Sequence, residues 1–133
     1  MSHYAAAKTQ LRSPSALKAT LEAKGYVVEV HEQPVELLGY QKNFKANVIV
    51  RQESAKANWG DIGWKLERDG TYAFLYDSMD NHIFTEEWQN EITQLAIVHE
   101  GIEAQVSEGY AMSYQETLED GSIRVVFEQA TMY

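Results

Sequence analysis

Four histidines, twenty carboxylates and no cysteine are the means this chain has for chemistry. His99 falls on the apolar stripe of a long helical stretch, one turn after Leu95. A buried imidazole there would have a lowered pKa and could act as a general base or a ligand; equally, it could be a core histidine bonded to a carbonyl or a tyrosine. His3, His31 and His82 are scattered, and neither H-E-x-x-H nor a histidine pair at helical spacing occurs, so no metal set is expected. Asp61, between Gly60 and Gly63, could bind a ligand's polar group or hold a loop through nearby N–H groups. Lys8, Gln10 and Arg12 share one side of a first strand, as a small anion or partner site or as a solvated face. Without cysteine there is no thiolate nucleophile or ligand, and no G-x-S-x-G elbow or glycine-rich phosphate loop is present. The residues name no cofactor and no catalytic constellation.

The elements that must position these groups follow from local pattern. Residues 3 to 11 read as a strand ending at Leu11. Ser13-Pro14 starts a helix, with serine as N-cap and proline at the first helical position, where its missing N–H costs nothing; Leu17 and Leu21 give it an apolar side and Gly25 stops it. Tyr26 to Glu32 is a strand that Pro34 interrupts, LLGYQKN turns the chain, and ANVIVRQ is a central strand with a continuous apolar run. ESAKAN reads as a loop. Thr85 caps a helix reaching Ser107, with Trp88, Ile92, Leu95, His99, Ile102 and Val106 in one stripe facing a core.

Two Asp-Gly pairs, Asp69-Gly70 and Asp120-Gly121, mark hairpins, since such a pair suits a two-residue type I′ turn. With that loop, Trp64, Leu66, Ala73 and Leu75 share a core face. Lys65, Glu67, Tyr72, Phe74 and Tyr76 share the other. Tyr72, Phe74 and Tyr76 then form an exposed aromatic face and a candidate partner surface, unless the stretch from Pro34 to Asn43 covers them. The same register in the second hairpin groups Met112, Tyr114, Leu118, Ile123, Val125 and Phe127. The element order β-α-β-β-β-β-α-β-β with short hairpin links predicts an α+β fold: a mainly antiparallel sheet with two helices packed on one face. No repeat or linker divides residues 1–133, which read as one domain.

A net charge of −9 repels a polyanionic backbone, so nucleic acid is not expected as a partner, while a cationic protein is electrostatically easier. The opening MSHYAAAKTQLRSP has no apolar core of a secretory signal, and no stretch approaches a membrane span. A soluble, cytoplasmic protein is the expectation, in keeping with the absence of cysteine.

The ordered set MSHYAAAKTQLRSPSALKATLEAKGY, LLGYQ, DIGWKLERDGTY, VHE and EDGSIRVVFE resembles the "hypothetical chloroplast reading frame thirty-five" family of cyanobacteria and algal plastids. The resemblance implies a cytoplasmic or stromal protein of unknown function without a recognised catalytic signature. By position it points to Ser2, His3, Lys8, Thr9, Tyr40, Gln41, Asp61, Gly63, Gln94 and His99. Two functions are therefore expected to compete. One is an accessory or assembly protein acting through a protein partner or as a homo-oligomer. The other is a small-molecule or metal-binding protein, perhaps an enzyme, built on His99, His3 and Lys8.

Overall fold

The computed structural model describes residues 3–40, 42–107, 110–117, 119 and 122–129, with side chains for all of these except 110–117 and 126–129. The fold is α+β. Among the described residues the strands are β1 (Tyr4–Lys8), β2 (Glu29–Glu36), β3 (Lys45–Val50), β4 (Ile62–Leu66), β5 (Tyr72–Asp77), β6 (Tyr110–Thr117) and β7 (Ile123–Gln129). The helices are α1 (Pro14–Ala23), α2 (Gln52–Ala55) and α3 (Glu86–Ser107). β1 to β5 form an open antiparallel sheet in the order β1-β5-β4-β3-β2, and β6 and β7 pair as a two-stranded sheet of their own.

Both long helices cover one face. Leu17 and Leu21 of α1 and Ile92 and Ala96 of α3 pack with Val48, Val50, Trp64, Phe74 and Phe84. Trp64 and Phe74 sit opposite each other on neighbouring strands, their rings 4.7 Å apart, and Trp88 of α3 closes on both. On the other face a smaller cluster of Leu37, Ala46, Ile49 and Leu75 is closed by Tyr4, Val35 and Phe44. α1 begins as its sequence requires, with the Ser13 hydroxyl accepting from Ala16 N. It carries no acidic residue in its first turn. The carboxylates that suit its positive end come from α3: Glu100 accepts from Arg12 N and Ser13 N at 2.5 and 2.7 Å, and Glu103 accepts from the Ser15 hydroxyl at 2.6 Å.

Four expectations are corrected. The first hairpin has a three-residue loop. Glu67 N donates to Thr71 O, and Gly70 alone among Arg68, Asp69 and Gly70 takes a positive φ, as in a type I turn followed by a glycine bulge. An odd loop moves the register by one residue: Leu66 faces Tyr72 and Trp64 faces Phe74. Tyr72, Phe74 and Tyr76 therefore point into the helix layer, Tyr72 and Phe74 buried and Tyr76 half-buried against Phe84, so no exposed aromatic face exists there. Second, Pro34 lies inside β2. This is tolerated because β2 is an edge strand whose pairing with β3 shifts register between Val30 and Val35. Third, the stretch read as a loop after β3 contains α2, which ends at Lys56 in the left-handed conformation. Fourth, the α3 stripe is buried only in its first half, where the inward row is Trp88, Ile92 and Ala96; Val106 is 55% exposed. The Asp120-Gly121 turn lies outside the described residues; beyond it Thr117 pairs with Ile123.

Candidate functional site: an apolar ridge on a buried polar mount

Asp61 opens the corner where β4 begins, and the residue is 3% exposed. A carboxylate so buried needs its lone pairs satisfied. Oδ2 accepts from Leu38 N and from Arg51 Nη1, each at 2.8 Å, and Oδ1 accepts from Gln52 N at 2.7 Å. Arg51 in turn donates from Nε and Nη2 to Glu29 and from Nη1 to the Glu36 carbonyl. One carboxylate thus ties together the loop after β2, the start of α2 and the start of β4. The Arg51 guanidinium, with His31 Nε2 2.9 Å away, pulls the Glu29 carboxyl from 4.5 down to about 2. The hydrogen bond from Arg51 to Glu29 holds the guanidinium's own pKa above its ordinary value.

Tyr4 reaches the same corner across the sheet. Its hydroxyl donates to the Asp61 carbonyl at 2.9 Å and sits over Gly39 and Gly60, which face each other as an antiparallel bridge. A Cβ on Gly39 would lie 2.9 Å from that hydroxyl and one on Gly60 only 2.7 Å, so neither position admits a side chain without displacing Tyr4. Burial, followed by the negative charges of Asp61, Asp77 and Asp80, pushes the Tyr4 hydroxyl well above the usual tyrosine range. Asp80, fully buried, accepts from Asn58 N and Trp59 N.

The result is a ribbon tied by backbone hydrogen bonds and buried carboxylates. Tyr40 N donates to Trp59 O, and Asp61 N donates to Leu38 O at 2.8 Å. Leu38 and Tyr40 project outward from it, 62% and 78% exposed, with the Tyr40 ring 5.4 Å from that of half-buried Trp59. Large apolar side chains held in water by a fixed backbone are the features from which protein-binding surfaces are built.

The residues singled out in the sequence scatter around this ridge. Tyr40 and Asp61 belong to it, Tyr40 as surface and Asp61 as mount. Ser2 and Gln41 lie outside the described residues. His3 stands at the start of β1, where its carbonyl accepts from Ser78 N. His99 is half-buried on α3, beside the Glu100 that grips Arg12 and Ser13. β1 and its extension from His3 to Thr9 span roughly 20 Å at about 3.3 Å per residue, and Glu100, next to His99, bonds beyond the Thr9 end, at Arg12 and Ser13. Lys8 and Gln10 are exposed, and Gln94 is exposed on α3. Lys8 lines a shallow depression with Arg68, but Glu67 and Asp69 line it too, which removes the field an anion site needs. Arg12 donates to the Asp69 carbonyl instead of facing an open site. Among the described residues no group of three or more His, Asp or Glu side chains is placed to hold a metal ion, and no helix is long and apolar enough to cross a membrane.

Arg51, Glu29, Asp80 and the paired glycines escaped the sequence reading. Only Gly60 carried a signal, as part of the glycine pair around Asp61; Gly39 stood alone in LLGYQ and the charged partners come from distant segments. No curated protein and no solved structure matches the chain. Residues 20–126 match a family model described as "Protein of unknown function (DUF1257)", and the chain belongs to that family.

Proposed function

We propose that this protein is a small accessory or assembly protein that works by binding another protein through the Leu38–Tyr40–Trp59 ridge. The observation that carries this reading is the combination of exposure and rigidity. Tyr40 and Leu38 stand in water on a ribbon whose neighbouring backbone donors are engaged by buried carboxylates. A surface already fixed in its bound shape loses little conformational entropy on association. Tyrosine and tryptophan are also over-represented among the residues that dominate binding energy. The net charge of −9 favours a partner with a positive surface around its apolar contact. The resemblance to the cyanobacterial and plastid family fits this reading, as does the family's lack of a catalytic signature, and implies action in the cytoplasm or stroma. The competing reading, a small-molecule or metal site on His3, Lys8 and His99, is the weaker one, because Glu100, next to His99, bonds at Arg12 and Ser13 while His3 precedes β1.

Native mass spectrometry on protein purified gently from its own cells tests the proposal. A stoichiometric partner chain, lost when Tyr40 is replaced by serine, is the expected result. A monomer carrying a small bound mass, with no protein partner, would overturn it.

A further inference from the structure

The two edges of the five-stranded sheet differ in kind. β2 carries Pro34, a register shift and the charged residues Glu29, Glu32 and Glu36, all devices that discourage further pairing. β1 has no proline and no register shift, and its one charge is Lys8 at the end of the run: it is Tyr-Ala-Ala-Ala-Lys, in unbroken register with β5, and among the described residues β5 is its one neighbouring strand. Thr9 N donates to Tyr72 O and Ser78 N donates to His3 O. Antiparallel pairing alternates, so Ala5 and Ala7 turn their N–H and C=O groups toward β5, while those of Ala6 and Lys8 point out from the edge.

A cleft runs beside this edge. The small Ala7 leaves α3 standing off β1, and the gap is lined by Trp64, Phe74 and Trp88 and, among polar residues, by Lys8, Thr9, Asn90 and Thr93. Its volume, about 90 Å³, is too small for a cofactor. It is smaller than the apolar cavity of about 150 Å³ that takes up benzene, and suits one aliphatic side chain. Along α3, Glu86, Asn90, Thr93 and Ile97 recur at spacings of four, three and four, which places them on one wall. That wall has an exposed acidic end, Glu86 with Glu87 beside it, and an apolar end, where Ile97 is 41% exposed.

We infer that the outer edge of β1 at Ala6 and Lys8 and the cleft between β1 and α3 bind an extended, basic segment of a partner protein by strand addition, with one aliphatic side chain seated in the cleft. The bound segment bonds to the outward groups of Ala6 and Lys8. Alternate side chains face the helix layer, one entering over Trp64 and Phe74. Lysine or arginine residues in the segment face Glu86 and Glu87 on a chain of net charge −9. This surface is separate from the Leu38–Tyr40–Trp59 ridge, so either can fail alone.

The test is a random peptide library displayed on phage, panned on the full-length protein at low salt, with the enriched peptides then synthesised. Enriched peptides are expected to alternate, with an aliphatic residue flanked by lysine or arginine. They should bind with a Kd on the order of micromolar and shift the amide resonances of β1, Asn90 and Thr93. Ala6→Pro removes an N–H that β5 does not use, so it should leave the thermal transition near that of the wild type and weaken the peptides at least about tenfold. Ala7→Leu, which fills the cleft without touching the edge, should weaken them similarly and serves if the proline variant does not fold. Peptides that bind both variants like the wild type, resonance shifts at Tyr40 instead of β1, or no enrichment at all would overturn the inference. So would a wild-type dimer that Ala6→Pro converts to monomer, since the edge would then belong to a second copy.

Discussion

On the helix-covered face of the sheet, Trp64, Phe74, Phe84 and Trp88 pack ring against ring beneath α1 and α3. On the opposite face, among the described residues, four buried apolar side chains form the inner cluster, and the adjoining corner is held by side chains bonded to backbone groups: Asp61 to Leu38 and Gln52, Asp80 to Asn58 and Trp59, and Tyr4 to Asp61. The first face obtains its stability from area removed from water, which is non-directional and tolerates modest change of shape. The second depends on individual acceptors in fixed places, where one lost atom leaves several donors buried and unpaired. Exposed Leu38 and Tyr40 belong to the second region, because directed bonds can hold a backbone still without covering its side chains.

The contrast predicts an order of effects. Trp64→Ala, on the apolar face, should cost about 3–5 kcal/mol in urea unfolding, and a loss below about 1 kcal/mol would mean that the ring is not part of the core. Asp61→Ala should cost about 3 kcal/mol although it removes little apolar area, because it takes one carboxylate partner from Arg51, which keeps Glu29, and leaves the Leu38 and Gln52 N–H groups without their acceptor. Amide exchange should quicken at Leu38 and Gln52 while the Trp64 amide stays protected; uniform quickening would dissolve the distinction between the two regions.

Asn47 sharpens the comparison from within β3. Its Oδ1 accepts from Leu66 N, and its Nδ2 donates to the carbonyls of His31 and Glu32, where β2 departs from regular pairing. Asn47→Ala should cost about 2 kcal/mol, and Asn47→Asp should be no better, since the acid has no Nδ2 donor. Hydrogen exchange at Leu66 reports the same loss locally.

Glu29 gives the smallest effect, with a defined pH window. Its carboxyl falls from 4.5 to about 2 on folding, so its contribution is present above pH 4.5 and is lost as pH drops toward 2. The Glu29 side chain is about one-third exposed, so solvent screening holds the contribution below about 1 kcal/mol. Glu29→Gln should flatten the acid limb of the stability curve in that window and leave the neutral region little changed. An unchanged acid limb would mean that the pairing with Arg51 does not persist in solution.

The two regions were also unequally legible in the sequence. Periodicity and capping residues gave the succession of strands, both long helices and their common face, though not the short α2, because these depend on local spacing. The first hairpin was misread by one residue. Asp-Gly fits both a two-residue turn and a three-residue loop with glycine in the left-handed place, and only packing of Phe74 against Trp64 and Trp88 selects the second. Asp61 stands out in the sequence as a residue that could hold a loop, but its partners at Leu38, Arg51 and Gln52 are fixed by tertiary contact and leave no local pattern. The grip of Glu100 and Glu103 on α1 left only a negative sign, a first helical turn without an acid.

The most direct test of the ridge as the working surface compares partner recovery by the wild type and by the variant Leu38→Ser/Tyr40→Ser, each expressed at native level in the source cells and quantified by mass spectrometry. Both side chains point into water, so the variant should unfold at nearly the wild-type temperature. The account predicts one stoichiometric protein with the wild type and its loss with the variant. Equal recovery of that protein by both would contradict it.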